Sequence, residues 1–167
     1  MKQLFAPWRL QYISSLSPES KSGCFFCDAN TSVGEESVHL LLGRGKLTFA
    51  MLNRYPYNNG HIMIAPNRHI GNMEEMTIEE GSELFQNSVI AKQILQEVYN
   101  PDGFNLGINQ GKCGGAGILD HLHLHIVPRW TGDTNFMPLF ADVRVIPEGL
   151  AESWAKFRPL FLARGLS

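Results

Sequence analysis

The sequence predicts an α+β fold with a largely antiparallel sheet, one long helix and a C-terminal helix. Three observations lead to this class: β-forming runs outnumber helical patterns, the one long helical pattern lies between strand pairs, and the 167 residues show neither a repeat nor a linker. A chain of this length fits one domain. We expect a single domain over 1–167, with an N-terminal arm at 1–23, a core at 24–137 and a C-terminal extension at 138–167.

The predicted strands are short and are bounded by turn residues. Gly43 and Gly45 separate the first two, which we interpret as a hairpin, and Pro66 stops the third. A glycine-rich loop, Gly111–Gly117, joins the last two. The five predicted strands span 38–42, 46–52, 61–65, 104–109 and 121–127.

Two helices are predicted from capping and periodicity. Thr77-x-x-Glu80 is a capping box, and an apolar stripe follows it until Asn100-Pro101 ends the helix. A second amphipathic pattern covers 148–163. The long helix and the aromatic C-terminal segment therefore supply the helical part of the fold.

Composition excludes several classes of protein. The net charge of −2, from 14 basic and 16 acidic residues, gives no basic field for nucleic acid. No apolar run reaches the ~20 residues that cross a bilayer, and Pro7, Trp8 and Arg9 interrupt the place where a signal peptide needs an apolar core. Three cysteines are an odd count for a disulfide framework. We therefore expect a cytoplasmic protein without a nucleic-acid or membrane partner.

Three histidines alternate with aliphatic residues in HLHLHIV, at positions 121, 123 and 125. On a strand, alternate side chains share one face, so three imidazoles would lie along it. Neighbouring pairs are then ~6.6 Å apart and the outer two ~13 Å apart, which disfavours one metal ion shared by all three. Polar residues on a wet sheet face are the simpler interpretation, but strict alternation beside a glycine loop favours divided chemical roles.

Cys24-x-x-Cys27 has the spacing of half a zinc site. A structural zinc needs four ligands. Because Cys113 lies in the glycine loop, the two ligands that the cysteine pair lacks would have to be histidines. Two buried reduced thiols or a redox pair are alternatives for Cys24 and Cys27.

The motif DHLHLHIVPRW resembles the histidine-triad (HIT) superfamily of nucleotide hydrolases and transferases. Asn109-x-Gly111, the Gly114–Gly117 loop and the segment NRYPYNNGHIMIAPNRH extend the resemblance. APWRLQYI and GDTNFM are similar to the branch that contains bacterial diadenosine tetraphosphate phosphorylases. The resemblance implies an HIT-like fold and a homodimer whose sheets join across a two-fold axis.

The resemblance also implies a chemistry. A nucleotidyl transferase or hydrolase of this type cleaves the α–β phosphoanhydride of a dinucleoside polyphosphate, with His123 as nucleophile and His125 as hydrogen-bond donor. Inorganic phosphate would be the second substrate of a phosphorylase. The implied substrate-binding residues are Asn53, Asn109, Gly111, Gly115 and Gly117. Alternatives are a hydrolase of nucleoside phosphoramidates or other nucleotide conjugates, and a nucleotide-binding protein with little turnover.

Metal-containing members of the superfamily complete the cysteine pair with a histidine after the third strand and the first triad histidine. These positions are His69 and His121, so the resemblance implies a structural zinc on Cys24, Cys27, His69 and His121, and no organic cofactor. A catalytic metal on the three triad histidines is a further alternative. The chain departs from many hydrolases of the superfamily at Gly117 and Ile118, where those enzymes carry Gln or Ser near the leaving oxygen.

Overall fold

A computed structural model describes residues 23–133 and 146–167. Five strands form one antiparallel sheet in the order β1-β2-β3-β5-β4, which confirms the α+β class. Most of the N-terminal arm, 1–22, and residues 134–145, which hold part of GDTNFM, lie outside the described residues. The strands are β1 Leu41–Arg44, β2 Thr48–Leu52, β3 Ile62–Pro66, β4 Gly103–Ile108 and β5 Leu124–Arg129.

The long helix begins and ends where the sequence predicts. The Thr77 side chain accepts a hydrogen bond from the Glu80 amide at 3.1 Å, and the Glu80 carboxylate accepts one from the Thr77 amide at 2.9 Å. Asn100 ends the helix in the left-handed conformation, at φ 45°, before Pro101. The α-helices of the described residues are α1 Phe25–Thr31, α2 Glu36–His39, α3 Ile78–Tyr99 and α4 Leu150–Ala163, and a 3₁₀ helix covers Met73–Glu75. No described helix is long and apolar enough to cross a membrane.

The two faces of the sheet are covered differently. Helices α3 and α4 pack on one face, against residues that include Ile62, Ile64 and Ile126. On the other face Phe26 of α1 covers a smaller cluster that includes Met63. Since His125 lies opposite Met63 in the β3–β5 pairing, the imidazoles belong to this second face. The site therefore forms under the short helix α1 and not under the long helix.

The predicted first strand is wrong at its start. Val38 belongs to α2, and Leu40, at φ 59°, ends that helix in the left-handed conformation. Strand β1 begins only at Leu41 and includes Gly43, where a Cβ would lie 2.5 Å from the Leu166 carbonyl oxygen. The glycine that sequence pattern assigns to a turn is thus a point of close packing inside the strand.

The predicted last strand is also shifted. It begins at Leu124, not at His121, and extends through Pro128 to Arg129. Pro66 ends β3 and has no amide hydrogen to continue the ladder, and its carbonyl accepts a hydrogen bond from Nε2 of His121 at 2.9 Å. The Leu122 amide donates to the Ile70 carbonyl at 2.6 Å instead. The chain is therefore held by one side-chain and one backbone hydrogen bond before it joins the ladder.

Candidate active site and metal centre

The three triad histidines form a row of buried imidazoles. The rings of His123 and His125 lie 4.8 Å apart, and the Phe26 ring lies 4.7 Å from His123 and 5.0 Å from His121. Relative exposures are 0%, 5% and 8% for residues 121, 123 and 125. Exposed polar residues on a wet sheet face, the simpler interpretation of the motif, are therefore ruled out.

His123 has one ring nitrogen held by the backbone. Its Nδ1 lies 2.8 Å from the carbonyl oxygen of His121, which can only accept, so Nδ1 carries the proton. In the neutral ring Nε2 then carries the lone pair. Burial lowers the pKa of His123, while the hydrogen bond to the His121 carbonyl raises it and does not reverse the shift. The ring is therefore a neutral base with a defined tautomer.

His125 is held by a second buried histidine. The Tyr57 amide donates to Nδ1 of His61 at 3.1 Å, so the proton of neutral His61 resides on Nε2. That nitrogen lies 2.9 Å from Nδ1 of His125, which must accept. The proton of neutral His125 is consequently on Nε2, which lies 3.5 Å from Nδ2 of Asn109. Both of these nitrogens are donors, so a hydrogen bond between the two side chains needs the Asn109 amide turned to present Oδ1. His125 thus presents a donor where His123 presents an acceptor.

Sequence reasoning assigned no role to His61. Its position immediately before β3 is the one available signal, because the pairing of Ile62 with Ile126 brings it beside His125. Neither strand periodicity nor motif spacing reveals the contact between His61 and His125, since 64 residues separate them. The contact arises from strand order alone.

Cys24, Cys27, His69 and His121 converge at the other end of the row. One ligand atom from each lies within 4.8 Å of all the others. The Nδ1 of His121 is 3.3 Å from Sγ of Cys24 and 3.6 Å from Sγ of Cys27, and the Nδ1 of His69 is 3.4 Å from Sγ of Cys27. A tetrahedral zinc with Zn–S of about 2.3 Å and Zn–N of 2.0–2.1 Å separates such atoms by about 3.6 Å. The four residues therefore fit a Cys₂His₂ zinc site.

The surroundings of these ligands favour metal binding. The Nε2 of His121 donates to the Pro66 carbonyl, which directs a lone pair on Nδ1 toward the thiols. Burial lowers the pKa of His121, which keeps the ring neutral. Burial and the neighbouring Cys24 raise the pKa of the Cys27 thiol to about 11, so the thiol keeps its proton without a metal and would release it when a cation binds. Asp120 is not among the clustered ligands, and Cys113 is exposed.

The predicted substrate-binding residues lie at two places. Asn53 follows β2, and its Oδ1 accepts a hydrogen bond from the Tyr55 amide at 2.9 Å, which is turn chemistry. Asn109 follows β4 and contacts His125. Gly111 and Gly115 adopt φ of 73° and 83°, conformations that favour glycine, in the loop between β4 and β5. Gly117 lies in the same loop and is half-buried.

Residues 35–132, more than half of the chain, match the HIT domain family. The protein belongs to this family, as the resemblance predicts. The chain is 36% identical over 157 residues to AP-4-A phosphorylase of Mycobacterium tuberculosis, and the matched region covers 92% of this chain and 80% of that protein. It is 32% identical over 84 residues to a bis(5′-adenosyl)-triphosphatase of Dictyostelium discoideum, and the matched region covers 50% of this chain and 56% of that protein.

A Zn-bound histidine triad family protein from Mycobacterium smegmatis has the same fold. The TM-score is 0.65 at 23% identity, over 85% of this chain and 95% of that one. The two curated relatives are enzymes by name, a phosphorylase and a hydrolase. The protein is accordingly an enzyme of the HIT family.

Proposed function

We propose that the enzyme cleaves the α–β phosphoanhydride of a dinucleoside polyphosphate, such as diadenosine tetraphosphate, through a nucleotidyl-His123 intermediate, with inorganic phosphate as the second nucleophile. The hydrogen bond from Nδ1 of His123 to the His121 carbonyl carries this proposal, because it leaves a lone pair on Nε2. The similarity to AP-4-A phosphorylase over 92% of the chain supports the substrate and the acceptor.

In the first step the Nε2 lone pair of His123 attacks the α-phosphorus. The bond to the bridging oxygen breaks, and its electron pair leaves with the second nucleotide as ATP. Positive charge develops on the imidazole, and the His121 carbonyl stabilises it through the proton on Nδ1. The leaving phosphate needs no proton, so the step requires no general acid.

In the second step an oxygen of inorganic phosphate attacks the same phosphorus. The N–P bond breaks, its electron pair returns to Nε2, and ADP is released. Water in the same position would give AMP. At Gly117 and Ile118 the chain lacks the Gln or Ser side chain that many hydrolases of the superfamily carry near the leaving oxygen, which supports phosphate and not water as the acceptor.

The other residues bind and orient the substrate. Nε2–H of His125 donates to a phosphate oxygen whose charge grows in the transition state. Asn109 lies beside that donor, and Gly111, Gly115 and Gly117 offer backbone amides to the phosphate chain. We assign Asn53 to the ribose of the transferred nucleotide. The backbone amide of Asn53 donates to the His61 carbonyl at 2.9 Å, so this residue lies at the His125 end of the row.

A structural zinc on Cys24, Cys27, His69 and His121 would hold α1, the end of β3 and the start of the triad together. When bound, such an ion supplies stability and no step of the reaction. His121 links it to the chemistry, because its backbone carbonyl orients His123.

A second copy of the chain would pair along β4. Among residues 23–133 and 146–167 this strand is an edge of the sheet, and its residues Asn105, Leu106 and Gly107 are exposed. Phe85 and Val89 of α3, 68% and 41% exposed, occupy the same helix face as Lys92, which lies over Phe104 of β4. An apolar strip beside an open strand edge fits an isologous dimer interface. Light scattering of Leu106→Lys, with the exposed Val33→Lys as matched control, should show monomers only for the former.

Product analysis tests the function. Diadenosine tetraphosphate is incubated with the enzyme, with and without inorganic phosphate, and quenching in alkaline detergent preserves the acid-labile N–P bond of protein-bound nucleotide. We expect ADP and ATP only when phosphate is present, and bound AMP that is absent from a His123→Asn variant. AMP and ATP regardless of phosphate would identify a hydrolase, and turnover of nucleoside phosphoramidates alone would favour that substrate class.

A further inference from the structure

A cleft of about 450 Å³ lies between the segment that follows β3 and the glycine loop. Its volume is within the range of small-molecule sites. It adjoins the metal end of the triad, because it includes the ligand His69 and the residue that precedes His121. The lining residues that carry the argument are His69, Asn72, Glu75, Lys112, Leu119 and Asp120.

The chemistry of the cleft is mixed. It offers the ammonium group of Lys112, the carboxylates of Glu75 and Asp120, and the half-exposed apolar side chain of Leu119. Within residues 23–133 and 146–167 the side chains of Lys112 and Asp120 form no hydrogen bond or ion pair. Two carboxylates and one ammonium disfavour a purely anionic ligand such as free polyphosphate. A ligand with one phosphate end and one hydroxyl-rich end fits the lining.

The cleft and Asn53 lie at opposite ends of the histidine row. Asn53 is tied to His61, which contacts His125, whereas the cleft contains His69, whose ring lies 5.3 Å from that of His121. His123 is between these ends. The phosphorus that reacts there separates the two halves of a dinucleoside substrate, so if one nucleoside is near Asn53 the other extends toward the cleft.

We propose that this cleft binds the second nucleoside of the substrate, the half that is released as a nucleoside polyphosphate. The inference rests on the proposed function. Glu75 and Asp120 accept hydrogen bonds from the ribose hydroxyls, as carboxylates do in other nucleotide sites. Lys112 binds a phosphate at the 5′ end of that nucleoside, and Leu119 contacts the base.

Two substrates with the same transferred group test the proposal. One is diadenosine tetraphosphate, and the other is the 4-nitrophenyl ester of AMP, which has no second nucleoside. The variants are Lys112→Met, Glu75→Gln and Asp120→Asn, all at exposed side chains. Matched controls are Lys46→Met and Glu74→Gln, exposed residues that are not in the cleft lining. Zinc content is measured for Asp120→Asn because it adjoins His121.

We expect each cleft variant to lower kcat/KM for diadenosine tetraphosphate by about tenfold more than for the ester, as loss of a charged hydrogen bond predicts. The controls should not discriminate between the substrates. An equal fall for both substrates, or no fall, would overturn the proposal.

Binding separates this inference from the proposed function. If the unmodified enzyme turns over neither substrate, the proposed function fails, and calorimetry with a methylene-bridged, non-hydrolysable diadenosine tetraphosphate decides the role of the cleft. Weaker binding of this probe to the cleft variants, with AMP binding retained, would still support the second nucleoside site. Equal affinities for all variants would reject it.

Discussion

The two ends of the histidine row use the same side chain for different purposes. At one end the Nδ1 of His121 faces two thiols while Nε2 binds the Pro66 carbonyl. At the other end the Nδ1 of His125 accepts a hydrogen bond from His61. Between them Nδ1 of His123 donates to a backbone carbonyl. Which nitrogen is held, and by what partner, therefore distinguishes the three roles that we propose: metal ligand, nucleophile and donor.

This contrast has a simple physical basis. A neutral imidazole has one donor and one acceptor nitrogen, and a contact at either one fixes the role of the other. The row needs no charged residue to differentiate its members. A substitution at one end of the row should therefore affect that end and leave the other unchanged.

The largest effect is expected in the middle of the row. We predict that His123→Asn lowers kcat by at least about 10³-fold, since no other described nitrogen can form the covalent intermediate. Affinity for a non-hydrolysable substrate should change little, because the phosphate and ribose contacts remain. His39→Asn, at a histidine paired with Glu35 away from the row, is the control. Full turnover by His123→Asn would contradict a covalent mechanism.

Loss of the proposed metal site should lower the stability of the fold before it lowers the reaction rate. We predict that Cys24→Ser or chelation of zinc destabilises the fold by roughly 3 kcal/mol or more, a fall in Tm of about 10 °C. Zinc content and thermal unfolding are the measurements, and Cys113→Ser, at the exposed cysteine, should change neither. If removal of zinc abolishes activity while Tm holds, the metal is catalytic and the two ends are not separate.

A carboxylate near the metal end gives a pH-dependent test. The Glu80 side chain, 4% exposed, binds Arg68, which precedes His69, and caps α3. The bond to Arg68 is the largest contribution that lowers the pKa of Glu80 to about 2. A lowered pKa stabilises the fold above the ordinary carboxyl pKa near 4.5, and the contribution is lost as pH falls toward 2.

We therefore predict that Glu80→Gln costs roughly 2–3 kcal/mol of unfolding free energy at pH 7, and that the difference from the unmodified protein narrows between pH 4.5 and 2. Chemical denaturation across this range measures it. Glu79→Gln, at an exposed neighbour in the same turn of α3, is the matched control. A difference that stays constant with pH would show that the effect is steric.

Sequence could predict much of this molecule because its strongest patterns are local. The capping box at Thr77, the helix stop at Asn100 and the alternating histidines are readable within a few residues. The start of β1 could not be predicted, because Val38 has β propensity but lies in a helix that ends at Leu40. The start of β5 depends on Pro66, 55 residues away from His121.

The same limit explains the residue that sequence reasoning missed. The proposed metal ligands follow from a resemblance in which each ligand has a recognisable place in a motif, whereas His61 reaches His125 only when β3 pairs with β5. The periodicity of a sequence does not predict which distant strands pair. The His125 end of the row is therefore the part of the site that sequence predicts least and that mutagenesis can test most usefully.

His61 is predicted to be a positioning residue for His125, with the smallest effect of the series. His61→Leu removes the donor to Nδ1 of His125 and leaves the Tyr57 amide without its acceptor, so we expect a fall in kcat of about tenfold. His61→Gln can accept from Tyr57 and donate to His125 through the two ends of one amide. It should restore most of the rate, measured as kcat on diadenosine tetraphosphate. Because both variants fill similar volumes in a site that is 1% exposed, a merely structural role would give them similar rates, and only orientation of His125 separates them.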